Sequence, residues 1–497
     1  MYKPQKLHPI SYISGIIEAI KQNFVLVIIF LVFNLKDFDF KNYTSYIYPG
    51  IVAIIFIVSF IIHSLKVYKT RYWIEKDHFI LTSGVFTKQR KELNIRRIQS
   101  VDTTQGLVNQ LVGGVVLQIK TPSDGIELDT VSKKQSQLIQ QAIKQQQLSL
   151  QDNVVNDEVL QSDNDNNVET TSNSTDQLYK LSFKNLLLMA MTSGAIGIAF
   201  AAIMPILGGF SDIIPWNAIT NKVEHIAQAV SIIVIIIVFT ILILSYIIGT
   251  IITIVRYFNY TLTQENNQLN ISYGLFKIQN ITVPTDRVQA VIENQSFLRK
   301  IFGYTAIHFV ITSDMDRNLD DETIDGKVMV LPFIKRRDAF NIIKGLVPYF
   351  EFNESEKGMP LRSLHRYFIK EFFVLLIIGI VGTYFWSAWS VVIVSVVLLF
   401  FISNAILNVK YAGYKVNNEE IVVHNVSIIG VKNNYFKRDK ILGMENTQTP
   451  FLKRSNLTTF RYIIAKASGM QKIGLKYEDS STVQSLKKWY LRGVWHE

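Results

Sequence analysis

The sequence predicts a membrane α plus β fold: six transmembrane helices in three hairpins, each followed by an antiparallel β-sandwich or barrel with a C-terminal helix. Three observations predict it. Apolar residues are gathered into stretches long enough to cross a bilayer. Each pair of stretches is followed by roughly 80–95 residues that alternate apolar and polar, the period of a strand. A string of residues in the first polar segment recurs in the second at constant spacing.

Composition narrows the class further. Of 497 residues, 48% are hydrophobic and 18% charged, and the mean hydropathy is +0.20. Soluble domains carry ~25% charged residues, so a soluble enzyme is disfavoured. The chain has no cysteine, which excludes disulfides, thiolate metal sites and cysteine nucleophiles. The net charge of +11 suits cytoplasmic loops beside anionic lipid better than nucleic acid.

The spans come in order. Residues 47–65, 186–207, 229–255, 372–386 and 389–406 contain no Asp, Glu, Lys or Arg. About 20 apolar residues cross a ~30 Å hydrocarbon layer as a helix. A sixth span is expected at 11–34, with Glu18 and Lys21 near one end. No signal-peptide cleavage pattern precedes it, so it is expected as a retained helix. The last two spans form a tight hairpin around Ser387 and Ala388. On one side, Lys36, Asp37, Asp39 and Lys41 cancel, and Asp212, Lys222 and Glu224 leave one negative charge. On the other side lie Lys3, Lys6, Lys66, Lys69, Arg71, Arg256, Lys410 and Lys415. Excess Lys and Arg stay inside, so both termini and the polar segments are expected in the cytoplasm.

Strands are expected at Phe79-Ile80-Leu81, at Val115-Val116-Leu117-Gln118-Ile119, at Leu269-Asn270-Ile271-Ser272-Tyr273, at Ile421-Val422-Val423 and at Phe460-Arg461-Tyr462-Ile463-Ile464. Closing helices are expected at 135–145, 337–346 and 481–491. Leu7-His8-Pro9, Leu181-Ser182-Phe183 and Leu361-Arg362-Ser363 each open a unit and suit interfacial segments. Residues 146–177 hold seven acidic residues and no Lys or Arg, a composition that cannot bury a core. The expected organisation is therefore a first transmembrane pair at 1–66 and a first β domain at 67–146. A disordered linker follows at 147–178. The second pair takes 179–256 and the second domain 257–350. A short linker at 351–360 leads to the third pair at 361–408 and the third domain at 409–497.

The repeat is explicit. At an offset of 190, Gly84-Val85-Phe86 meets Gly274-Leu275-Phe276, and Arg97-Ile98-Gln99-Ser100-Val101 meets Arg287-Val288-Gln289-Ala290-Val291. Gln105 then meets Gln295, and Gly113 meets Gly303. At a further offset of 153, Lys440 and Gln448 meet Arg287 and Gln295, while Ser427 and Asn456 replace the two glycines.

These strings, each behind a pair of spans, resemble the bacterial pleckstrin-homology-like (PH-like) membrane proteins of the YdbS/YdbT type, and in their number the larger three-domain YdbT-like member. The resemblance implies a PH-like sandwich or partly open barrel in each unit and no established catalytic residues. It also implies a link to protection against antimicrobial peptides and a smaller PH-like membrane protein of the same family as partner.

The candidate binding residues are of two kinds. Arg97, Gln99, Gln105, Arg287, Gln289 and Gln295 could form a ligand-binding edge, or could hold a strand start and a turn together. Lys437, Arg438, Lys440, Lys453 and Arg454 are the densest cations of domain three, where residues 410–497 hold 15 basic against 7 acidic side chains. Near an anionic leaflet each cation contributes on the order of 1 kcal/mol. The acidic run from Asp314 to Asp325 imitates a calcium loop, but Leu319 stands where the sharp turn needs glycine, and an acidic hairpin tip is the expectation. No metal or cofactor is expected. Walker A, H-E-x-x-H and G-x-S-x-G motifs are missing, so the expectation is a non-enzymatic scaffold or interaction protein contacting the anionic bilayer. The alternative is a subunit of a peptide or lipid transporter, which would have to work with little more than backbone and Asn404 in its spans.

Overall fold

The computed structural model describes residues 3–9, 11–13, 23, 47–121, 125–158, 176–193, 227–265, 267–312, 326–385, 389–467 and 469–491. The chain divides into two compact units, Met1–Val283 and Pro284–Glu497. The division falls inside the second repeat.

In the first unit, α1 (Ile47–Lys69) is apolar up to Lys66 and Lys69 in its last turn, where cations complement the helix dipole. Ile54 and Ile57 are more than half exposed, as lipid-facing side chains are. Strands β1 (Gln5–Lys6), β2 (Arg71–Glu75), β3 (His78–Ser83) and β4 (Gln89–Asn94) form one antiparallel sheet. Strands β5 (Ser100–Gly106), β6 (Gly114–Lys120) and β7 (Gly125–Ser132) form another, with the short helix α2 (Leu107–Val112) after β5. Tyr72, Phe79 and Leu93 from the first sheet meet Leu117, Ile119 and Leu128 from the second, and Ile139 and Ile143 of α3 (Lys133–Glu158) close this core. That is the expected sandwich with its C-terminal helix.

Helix α3 runs past the expected end at 145 to Glu158. The start of the segment expected to be disordered at 147–178 is therefore helical. Its glutamines are good helix formers, and no Gly or Pro interrupts the helix. The end of that segment enters β8 (Asp176–Lys180); residues 159–175 lie outside the described ones. After α4 (Phe183–Met191) and α5 (Ala227–Arg256) come β9 (Thr261–Glu265), β10 (Gln268–Tyr273) and β11 (Lys277–Pro284). The sheet of the first repeat does not stop at β5. Its order is β7-β6-β5-β11-β10-β9-β8, so the second repeat extends it.

The second unit repeats this device. Strands β12 (Val288–Ser296), β13 (Tyr304–Ile311) and β14 (Lys327–Lys335) follow, with α6 (Phe297–Ile301) after β12 and α7 (Arg336–Leu346) after β14. Helices α8 (Ile369–Phe385) and α9 (Trp389–Tyr411) form a hairpin. Gly379 lets Val394 approach it, and Thr383 Oγ1 and Ser390 Oγ share a hydrogen bond of 3.1 Å. Small residues permit this close helix contact. Strands β15 (Gly413–Val416), β16 (Glu420–Val426) and β17 (Gly430–Lys437) join β12 in the order β14-β13-β12-β17-β16-β15. Strands β18 (Ile441–Thr447), β19 (Leu457–Lys466) and β20 (Gly469–Asp479) form the last sheet, with α10 (Pro450–Arg454) between β18 and β19 and α11 (Ser480–Leu491) at the end. Ile421, Val423, Phe436, Phe460, Tyr462, Ile473, Val483 and Leu486 build its core. The expected linker at 351–360 is ordered: Glu420 accepts the N–H groups of Glu351 and Phe352, and Gly358 N–H donates to Ala412 O.

The described residues show part of the expected six spans. Among the described residues, three helical segments are long and apolar enough to cross a membrane, Pro49–Lys69, Leu361–Phe385 and Trp389–Tyr411, and the Thr240–Arg256 part of α5 is a shorter apolar stretch. The spans expected at 11–34 and 186–207 fall largely outside the described residues.

Candidate functional site

Three hairpin tips occupy the same place in the three repeats. Each is fastened to the C-terminal part of an apolar helix. Lys69 Nζ donates to Val85 O at 2.8 Å. Gly274 and Leu275 N–H donate to Phe258 O and Val255 O, at the end of α5. Ile428 N–H donates to Asn404 Oδ1 of α9 at 3.0 Å, so Asn404 has a structural duty. The tips present Phe86, Phe276 and Ile429, which are 91%, 52% and 75% exposed. A soluble surface rarely shows large apolar side chains in a repeated cluster. Gly84 and Gly274 have φ of 118° and 114°, and a Cβ there would lie about 2 Å from the carbonyl of Thr87 or Lys277. Only glycine makes this turn. The third tip uses Ser427 instead, whose N–H and Oγ both bond Gly430.

The repeats are joined by strand pairing. In the first unit β5 pairs with β11, with Gly106 opposite Lys277, Gln105 opposite Ile278 and Thr103 opposite Asn280. In the second unit β12 pairs with β17, with Ser296 opposite Gly430, Gln295 opposite Val431 and Glu293 opposite Asn433. Under the offsets of 190 and 153 these are the same pairs. Even the side-chain bond is kept: Asn280 Nδ2 donates to Thr103 Oγ1 at 3.0 Å, and Asn433 Nδ2 donates to Glu293 Oε2 at 2.7 Å. At each joint the short helix of one repeat grips the tip of the next. Gln110 Nε2 donates to Leu275 O and Phe276 O in the first unit, and Phe297 N–H donates to Ile429 O in the second.

Both joints bury polar groups. Asp102 and Lys120 form a salt bridge with side chains only 3% and 2% exposed, and Asp102 Oδ1 also accepts Thr282 N–H at 2.9 Å. Glu293 is buried and accepts from Arg336 Nε at 2.8 Å as well as from Asn433. Asn433 Oδ1 in turn accepts from His424 Nδ1. Burial pushes the His424 imidazole down. Burial, with Lys432, Lys327 and Arg299 nearby, pushes His308 of β13 down to about 3. An unfolded imidazole titrates near 6.5. As pH falls below that value the unfolded chain takes up protons that the folded chain refuses, so the second unit is expected to lose stability from about pH 6.5 downward. Thermal unfolding of detergent-solubilised protein at pH 7.5 and 5 measures this, and His308→Gln is expected to flatten the slope.

Within each repeat the glutamines of the string bond backbone groups of their own repeat. Gln105 Nε2 donates to Gly114 O at 2.9 Å, Gln295 Nε2 to Tyr304 O at 3.0 Å and Gln448 Nε2 to Leu457 O at 3.1 Å. These are equivalent carbonyls at the start of the next strand, so each amide locks the same turn. Gly113, Gly303 and Asn456 follow the short helix with φ of 69°, 72° and 51°, and asparagine tolerates this left-handed position where the third repeat lacks glycine. Gln289 Nε2 donates to Arg287 O, and Gln99 N–H donates to Lys120 O. Arg97 is exposed, and Arg287 lies 3.9 Å from Asp286.

The cations of domain three form two groups. Lys437 faces Glu419 and the ring of Tyr349, Lys440 bonds Asp439, and Arg438 lies between them. Lys453 and Arg454 are exposed on α10, at the other end of β18. A seven-residue strand separates the groups by about 20 Å. The acidic run 314–325 lies outside the described residues. Among the described residues, no three His, Asp or Glu side chains gather as a metal site. Sequence reasoning missed Asn280 and Asn433. Their signal was an asparagine in mid-strand, where it is disfavoured, recurring at the repeat spacing.

Helices apolar enough to span a bilayer, set before antiparallel sheets that repeat along the chain, define a membrane protein built of tandem PH-like repeats. The chain belongs to the family described as bacterial PH domain (bPH_2), which matches three times, at residues 25–147, 201–346 and 371–494. It is also 24% identical over 502 residues to the UPF0699 transmembrane protein YdbT of Bacillus subtilis (strain 168), a match covering 99% of this chain and 98% of the relative. No solved structure matches it.

Proposed function

We propose that this protein is a membrane-tethered docking scaffold without catalytic activity. Six spans in three hairpins hold PH-like modules and both termini on the cytoplasmic face, and the modules work by strand pairing and by lying on anionic lipid. The observation that carries this reading is the pair of strand joints. The same register and the same asparagine bond occur twice, so edge-to-edge pairing is the way this repeat recognises a neighbour. Strand addition draws affinity from main-chain hydrogen bonds and specificity from a few side chains. The tips supply the lipid contact. The tips bearing Phe86, Phe276 and Ile429 are fastened to the C-terminal parts of apolar helices, and an apolar side chain buried in the interface contributes about 1.5–3 kcal/mol. Lys453 and Arg454 add charge attraction. Under this proposal the cellular outcome of the scaffold is tolerance of membrane-active antimicrobial peptides.

The chain lacks cysteine, so single-cysteine probes are clean. Fluorophores on Phe86→Cys, Phe276→Cys and Ile429→Cys in nanodiscs are expected to be quenched by lipid-borne quenchers. A probe on exposed Lys344→Cys is expected not to be. Tips quenched no better than this control would remove the lipid contact. Labelling of the tips by an impermeant maleimide on intact cells would overturn the cytoplasmic placement. Unchanged sensitivity to membrane-active peptides after deletion would remove the cellular role.

A further inference from the structure

The repeats leave two half-joints over, and the two match. Of the strands that hold the joint positions among the described residues, β4 and β18 stand at a sheet edge, while β5, β11, β12 and β17 have a strand neighbour on both sides. Strand β4 holds in the first repeat the place that β11 and β17 hold in the others. Strand β18 holds in the third repeat the place of β5 and β12. Each internal joint pairs a strand of the first kind with a strand of the second. The chain therefore ends in one unmatched half-joint of each kind.

Resting on the docking-scaffold reading, we propose that β4 of one copy of this chain pairs antiparallel with β18 of a second copy, so that copies join head to tail. The repeat offsets fix the register. Gln89 is set opposite Thr447, Arg90 opposite Asn446, Lys91 opposite Glu445 and Leu93 opposite Gly443. These pairs run along β4 from its first residue and along β18 from its last.

Three features favour this occupant. The first is the donor–acceptor pair. Arg90 and Asn446 stand where Asn280 and Thr103, and Asn433 and Glu293, are bonded. The donor is again on the first kind of strand and the acceptor on the second. The second is charge. Lys91 meets Glu445 directly, and opposite charges across a strand pair are favourable. Arg90 and Glu445 now bridge to Glu92 and Lys472 within their own sheets, between half-exposed side chains, and such bridges are weak enough to exchange. The third is exposure. The first four residues of β4 are exposed, whereas most of β17 is buried in its joint. A charged edge also serves to keep other strands away, and the test separates the two roles. Because the two edges differ, the contact is heterologous and extends into rings or open chains of copies.

The test uses full-length chains in native membranes. Chains carrying Lys91→Cys are co-expressed with chains carrying Glu445→Cys and oxidised. The expected result is a disulfide product at twice the 56.9 kDa of one chain, absent from either variant alone. The double variant is expected to give a ladder of higher multiples. No product, a bond confined to one chain, or a product of another mass overturns the proposal; the last assigns the edge to a different protein. The paired positions Gln279→Cys and Thr104→Cys within one chain are the control. If this internal bond fails to form, the docking-scaffold reading fails. If it forms while the mixed chains stay unlinked, the head-to-tail contact alone is lost.

Discussion

Replacing Asp102 with alanine is expected to destabilise the first unit by about 3–5 kcal/mol, the cost of leaving a buried charge without its partner. Lys120 and Asp102 are almost wholly shielded from water. The loss of Asp102 also strands the Thr282 N–H across the joint. The second repeat holds the remedy. At the same places it carries Ile292 and Val310, both buried. The double variant Asp102→Ile with Lys120→Val is therefore expected to recover most of the loss, because an apolar pair of fitting shape replaces an ion pair at little or no cost. Limited proteolysis and thermal unfolding of the solubilised chain read both effects. A near-neutral single variant would mean that water reaches Lys120.

A valine at position 430 is expected to open the second joint. A Cβ on Gly430 would lie 2.3 Å from Gln295 O and 2.9 Å from Ser296 Cα. Both are backbone atoms, so no rotamer relieves the clash. Overpacking of this kind costs about 1–3 kcal/mol, and here it falls on the ladder that joins two repeats. Cysteines at the paired positions Asn294 and Lys432 report it: their disulfide is expected to form readily with Gly430 present and poorly with Gly430→Val. Gly443→Ala is the contrast. It lies on β18, where the added methyl meets only Ile463 Cδ1 at 4.0 Å, and it is expected to leave that disulfide unchanged. Equal yields in all three chains would show that the β12–β17 ladder tolerates a side chain at its end.

Much of the fold was legible because its signals are local. Hydrophobic length marks a span, alternation marks a strand, and the offset of 190 placed the first two repeats over one another without a gap. The glycines of the tips were visible as part of the string, and the structure gives their reason in the positive φ of Gly84 and Gly274. Less of the candidate site was legible. Gln105 and Gln295 were singled out as possible ligand groups, yet their amides face carbonyls of the following turn. The cations of domain three are close in sequence but are parted by the length of β18.

The amino-acid sequence by itself determined which segments are apolar, which alternate and how often the unit recurs, since these depend on neighbours within a few residues. Only the tertiary structure decided that the sheets run from one repeat into the next. A strand edge offers the same row of N–H and C=O groups whatever its side chains, so the choice of β11 for β5, or of β17 for β12, is made by long-range packing and by single contacts such as Asn433 on Glu293. Those contacts join residues 140 positions apart, beyond the reach of any local pattern.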